Sequence, residues 1–107
     1  MKNTTAGYRK QEKVVEWLKN KGWEIIYDGG RGPADIIARL EGKKWFIQVK
    51  YTRKSEMDES RFSKEKEDLI KMADENSGTA IFCYVIQKSI WFDSAKTGKT
   101  LKRGRLA

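Results

Sequence analysis

The sequence of 107 residues contains no histidine. That absence removes the Ser-His-Asp and Cys-His constellations, the imidazole general base and every zinc site that needs an imidazole ligand. Cysteine occurs once, as Cys83, so the chain can close neither an internal disulfide nor a thiolate zinc cage. Cys83 falls inside the apolar run 80–86, where a thiol packs as a small apolar side chain in a reducing, cytoplasmic setting. No apolar run is long enough to cross a membrane, and no apolar targeting segment follows Met1. The chemistry left open uses carboxylates, amides, lysines and a hard metal ion.

Acids are also in deficit: 15 Asp and Glu stand against 23 Lys and Arg, for a net charge of +8 and a pI near 9.6. An excess of this size is the electrostatic footprint of a polyanion binder, although it also serves a merely soluble basic surface. The length fits one domain, with residues 1–93 as its body and 94–107 as a basic C-terminal tail. The tail carries Lys96, Lys99, Lys102, Arg103 and Arg105 and no acid. It reads either as an arm that grips DNA or as a disordered solubilising segment. Thr97-Gly98-Lys99-Thr100 is not a phosphate loop, because Asp93 stands where the upstream glycine is required.

Apolar spacing predicts a helix over 7–21, with Tyr8, Val14, Val15 and Leu18 on one face. Gln11 lies in the middle of that face and Glu12 on its flank. A short strand over 23–28 leads into Gly29-Gly30-Arg31-Gly32, read either as a turn needing positive φ or as bare backbone that admits a phosphate, with Arg31 as its clamp. Two β runs, 34–40 and 45–51, flank a polar Glu41-Gly42-Lys43-Lys44 connection and predict a hairpin. A charged link over 53–59 precedes a helix over 60–75, capped by Asp58 or Ser60 and burying Phe62, Leu69, Ile70 and Ala73. Its KEKED run, 64–68, reads as a solvated face with local ion pairs. Residues 79–86 are nearly all apolar or β-favouring, which predicts a strand covered on both faces. Gln87-Lys88 then turns the chain into a last strand over 89–92.

The hairpin holds the residues with chemistry. Asp35 opens its first strand, and Gln48 and Lys50 stand two apart near the end of its second. Alternation puts Gln48 and Lys50 on one face and Ile47, Val49 and Tyr51 on the other. Pro33-Ala34-Asp35, twelve residues, then Gln48-Val49-Lys50 resembles the PD-(D/E)xK nuclease superfamily, with one residue inserted in the first half and Gln in place of the usual Glu. Archaeal Holliday-junction resolvases share the small size and element order; Mrr-like nucleases share the Gly-Gly loop and the Gln. The resemblance implies an α/β, restriction-endonuclease-like core: a mixed sheet of about five strands flanked by two helices, in the order α-β-β-β-α-β-β. It also implies a homodimer, for which Ile81, Phe82, Tyr84, Ile90, Trp91 and Phe92 would supply both core and interface. The related nucleases carry a glutamate on the first helix that reaches the metal, a position that Gln11 matches and Glu12 follows by one residue.

On this resemblance the chain is expected to be a Mg²⁺- or Mn²⁺-dependent DNA endonuclease. Asp35, the Gln48 side-chain carbonyl and the Val49 backbone carbonyl would hold the metal, while Lys50 would orient or help deprotonate the attacking water. The Gln at position 48 removes one formal negative charge, so the metal should bind weakly, with Mn²⁺ favoured over Mg²⁺. Candidate DNA contacts are Arg9 and Lys10 on the first helix, Arg31 in the glycine loop, Arg53 and Lys54 after the hairpin, and Lys102, Arg103 and Arg105 in the tail. A core this short has no room for a base-reading domain, so selection by DNA shape, as at a branched junction, is expected. The alternatives are a catalytically degenerate nucleic-acid-binding module on the same fold and an RNA-directed binder using the tail.

Overall fold

The computed structural model describes residues 4–29, 32–51 and 63–106, with side chains from Gln11 onward in the first helix and from Lys64 onward in the second. The elements are α1 (Thr4–Asn20), β1 (Glu24–Asp28), β2 (Ile36–Leu40), β3 (Lys43–Lys50), α2 (Ser63–Glu75), β4 (Thr79–Ile86), β5 (Ser89–Ser94) and β6 (Thr100–Arg105). The strands form one mixed sheet in the order β1-β2-β3-β4-β5-β6. Neighbours are antiparallel except β3 and β4, which run parallel and are joined through α2. A parallel pair needs a crossover of this kind, and α2 supplies it.

Two apolar layers lie on opposite faces of the sheet. On one, Val14, Val15, Trp17 and Leu18 of α1 meet Trp45, Ile47 and Val49 of β3, Ile81, Cys83 and Val85 of β4, and Ile90 and Phe92 of β5. On the other, Leu69 and Ala73 of α2 meet Phe46, Ala80, Phe82 and Tyr84. Leu18, Ile47, Ile81 and Phe92 are fully buried, each worth about 1.5–3 kcal/mol of apolar transfer. β4 contributes alternate residues to both layers, which explains its continuous apolar run. The β2–β3 turn is tighter than the expected four residues. Leu40 pairs with Lys43, and Glu41 and Gly42 both take positive φ, the backbone of a two-residue hairpin turn. Gln87-Lys88 turns β4 into β5 as expected, with Ile86 paired to Ser89.

The C-terminal stretch departs from the expectation of a tail. Residues 100–105 form β6, a sixth strand antiparallel to β5, so a boundary after residue 93 would cut the sheet. The Ser94 amide donates to the Lys99 carbonyl to close the β5–β6 connection. β6 escapes a periodicity reading because it is an edge strand whose side chains are mostly exposed and basic, a common guard against edge-to-edge pairing. Its tie to the core is Gly104, where a Cβ would collide with the Trp17 ring, followed by the buried Leu106. The predicted cap at Asp58 or Ser60 and the buried Phe62 lie outside the described residues.

Candidate active site

Asp35 stands where the β2–β3 ladder ends. Ile36 pairs with Ile47, so the register continued one step sets Asp35 against Gln48. The Asp35 amide donates to the Ile47 carbonyl at 2.8 Å, its carbonyl accepts from Gly29 at 2.9 Å, and its Oδ2 accepts from the Val49 amide at 2.9 Å. The last bond lets the side chain take a ladder donor. An ionised carboxylate offers about four acceptor positions, so one bond leaves capacity for a cation. Burial pushes the Asp35 carboxyl above the usual range; the Val49 hydrogen bond and the Lys50 charge pull it down, and the Glu65 and Asp28 charges push it up again.

Gln48 and Lys50 are half-buried and alternate with the buried Val49 and Ile47, so they project toward the α2 layer with Phe46, as the sequence implies. The Lys50 ammonium donates to both carboxylate oxygens of Glu65, at 2.5 and 3.2 Å. The Lys50 side chain is 11% exposed and that of Glu65 45%, so the pair sits at the rim. Tyr51 follows on the α1 side, where burial and then the Asp35 charge push its phenol up. Asp35 therefore lies within electrostatic reach of both sheet faces at the end of β3.

Gln11 takes the inward position on α1. Its Nε2 donates to Asp28 Oδ1 and to the Gly29 carbonyl, both at 2.7 Å. Since Gly29 in turn bonds Asp35, α1 is fastened to the segment that flanks the site. Glu12 is exposed on the flank and is not among the groups that act on Asp35. The position corresponding to the expected helical acid is thus held by an amide that spends its hydrogens on the Asp28 carboxylate and the Gly29 carbonyl.

Two acids near the site have no part in the sequence reading. Asp28 is the last residue of β1 and reads simply as a strand end. Glu65 is hidden in the KEKED run, which does contain a local pair, Lys64 with Asp68 at 3.7 Å. The available signal is spacing: Glu65 lies four residues before Leu69 and eight before Ala73, on the stripe that faces the sheet.

Of the candidate DNA contacts, Lys102, Arg103 and Arg105 are exposed on β6. Lys102 pairs with Phe92 and so lies on the α1 face, whereas Arg103 pairs with Trp91 and Arg105 with Ser89 on the face that carries Lys50. The side chains of Arg9 and Lys10, and the residues Arg31, Arg53 and Lys54, lie outside the described set. The apolar residues expected to serve both core and dimer interface are mostly spent on the core: Ile81, Phe82, Tyr84, Ile90 and Phe92 are buried, and Trp91 remains half-exposed.

Among the described residues no three carboxylate, thiol or imidazole groups cluster as a metal cage. The donors present are a carboxylate, an amide oxygen and a main-chain carbonyl, all hard oxygens that suit Mg²⁺ or Mn²⁺. Asp35 also feels the negative charges of Glu65 and Asp28, and a cation beside its carboxylate would offset both. No helix among the described residues is long and apolar enough to cross a membrane.

No family model matches the chain, and no curated protein matches it. Among solved structures, that of Hjc from Archaeoglobus fulgidus, a Holliday junction resolvase from an archaeal hyperthermophile, superposes with a TM-score of 0.70 at 20% identity. The match covers 90% of this chain and 81% of that one. With two helices flanking a mixed sheet and a hairpin that delivers Asp35, Gln48 and Lys50, the chain has the restriction-endonuclease-like α/β fold.

Proposed function

We propose that the protein is a metal-dependent DNA endonuclease that selects branched DNA, acts as a homodimer and works in the cytoplasm. The observation that carries this reading is the joining of Asp35 to the end of β3 through the Val49 amide, with Lys50 electrostatically coupled to it. The fold shared with a protein described as a Holliday junction resolvase supports the substrate class. Asp35, Gln48 and the Val49 carbonyl would hold Mg²⁺ or Mn²⁺, which supplies charge neutralisation at the phosphate and an activated water. Lys50 donates a hydrogen bond to a phosphate oxygen or to the attacking water, and its placement on the α2 face supports entry of the DNA backbone from that side. Arg103 and Arg105 extend positive charge across that same face to the sheet edge and position the duplex without reading bases. Two copies would present two such sites to two strands.

A second reading, a catalytically degenerate binding module, is favoured by one observation: Gln11 donates hydrogens at the helical position instead of offering a charged oxygen. The two are separated by incubating the protein with a four-way junction and a linear duplex of the same sequence, with Mg²⁺ or Mn²⁺, beside Asp35→Ala and Lys50→Ala. Metal-dependent cleavage of the junction that both variants lose supports the enzyme. Binding by all three proteins with no cleavage supports the module.

A further inference from the structure

We propose that Glu65 is a positioning residue of the site: from α2 it fixes the Lys50 ammonium and supplies the second formal negative charge that Gln48 withholds. The proposal rests on the nuclease reading and extends it to a residue on another element. Lysine has a long, flexible stem, and fixing its head costs up to about 2 kcal/mol of rotamer entropy. Both oxygens of one carboxylate engage that head, at 2.5 and 3.2 Å, so Glu65 defines where Lys50 points. This is not a helix-surface pair of the usual kind. Lys50 is fifteen positions away in sequence, and the residue four ahead of Glu65 is Leu69, which offers no cation.

Charge explains why such a residue belongs here. Apart from Asp28, which Gln11 engages on the α1 side, Asp35 and Lys50 sum to zero formal charge, and a divalent ion gains little by leaving water for a neutral pocket. Glu65 returns the sum to −1. Its influence already reaches Asp35, whose carboxyl it pushes upward. Strand and helix thus offer two routes to one charge count, and this chain uses the helix. A residue that only capped α2 would act on the helix terminus and leave both Lys50 and the cation indifferent.

The test is Mn²⁺ binding to the full chain, followed by the loss of the free-ion paramagnetic resonance signal, with a thermal melt for each variant to establish folding. Glu65→Gln should weaken Mn²⁺ binding about 10-fold, the scale of lost outer-shell partners. Adding Gln48→Glu to Glu65→Gln should bring affinity back to near that of the wild type, and Asp68→Asn, which breaks only the local pair, should change nothing. Junction cleavage by Glu65→Gln should lose kcat more than KM, because Lys50 is no longer held. If Glu65→Gln binds Mn²⁺ like the wild type, or Gln48→Glu fails to restore binding, the role of Glu65 is overturned while the nuclease reading stands. If Asp35→Asn leaves Mn²⁺ binding untouched, the nuclease reading falls and the role of Glu65 falls with it.

Discussion

The Val49 amide hydrogen-bonds Oδ2 of Asp35, so a side chain completes the backbone ladder of the hairpin. Burial nevertheless raises the Asp35 carboxyl above its usual range, with Glu65 and Asp28 adding to the rise against the pull of Val49 and Lys50. A carboxyl raised on folding contributes stability at pH below its unfolded value, and that contribution is lost as pH rises through the folded value. Asp35 is therefore a burden on the fold at neutral pH. Asp35→Asn keeps an acceptor for Val49 and removes the buried charge, so its melting temperature at pH 7 should equal or exceed that of the wild type. The difference should narrow as pH is lowered and Asp35 takes up its proton. Melts by circular dichroism between pH 7 and 4 check this; a variant equally destabilised at every pH would contradict it.

Gln11 tests how α1 is tied to the site. Gln11→Ala removes the hydrogen bonds to Asp28 and Gly29 and should cost about 1 kcal/mol in urea unfolding. Gln11→Glu should cost more in metal-free buffer, because it sets a carboxylate beside Asp28. Saturating Mn²⁺ should recover part of that loss for Gln11→Glu and none of it for Gln11→Ala.

The sheet, not a tail, accounts for the last strand. A Cβ on Gly104 would approach Cζ2 of Trp17 to 2.5 Å, so Gly104→Ala should lower stability by about 1–3 kcal/mol through overpacking. Truncation after Asp93 removes β6 and the buried Leu106 and leaves β5 as a bare edge. That protein should lose its cooperative unfolding transition, as read by urea titration.

Strand register also predicts which basic residues matter for DNA. Arg103 and Arg105 share the face of Lys50, whereas Lys102 projects toward α1. Arg103→Ala and Arg105→Ala should each weaken junction binding and lower the salt slope by about one. Lys102→Ala should leave the slope near the wild-type value. Gel-shift titrations across a range of salt concentrations provide the comparison.

What could be read in advance follows from which residues carry a period. The hairpin and β4 were legible because Ile47 and Val49 alternate with Gln48 and Lys50 at the end of β3 and Thr79–Ile86 is apolar on both faces. Gln11 was legible as inward-facing because it shares the helical stripe of Val14 and Leu18. β6 was not, since an exposed basic edge strand has no apolar alternation to display. Glu65 was concealed because charge at the start of a helix is ordinary, and only its spacing from Leu69 and Ala73 sets it apart. Asp28 was concealed because its importance comes from the β1–β2 pairing, which carries it beside Ile36 and thus beside Asp35.

The central claim, that Asp35 and Lys50 serve the hydrolysis of a phosphodiester by water, is tested most directly by cutting a four-way junction in ¹⁸O-labelled water. With Mn²⁺, the wild type should yield ends whose terminal phosphate carries one solvent oxygen by mass spectrometry, and Asp35→Asn and Lys50→Ala should yield no cut strands. Intact DNA after incubation with the wild type and Mn²⁺, or labelled products persisting in both variants, would contradict the account.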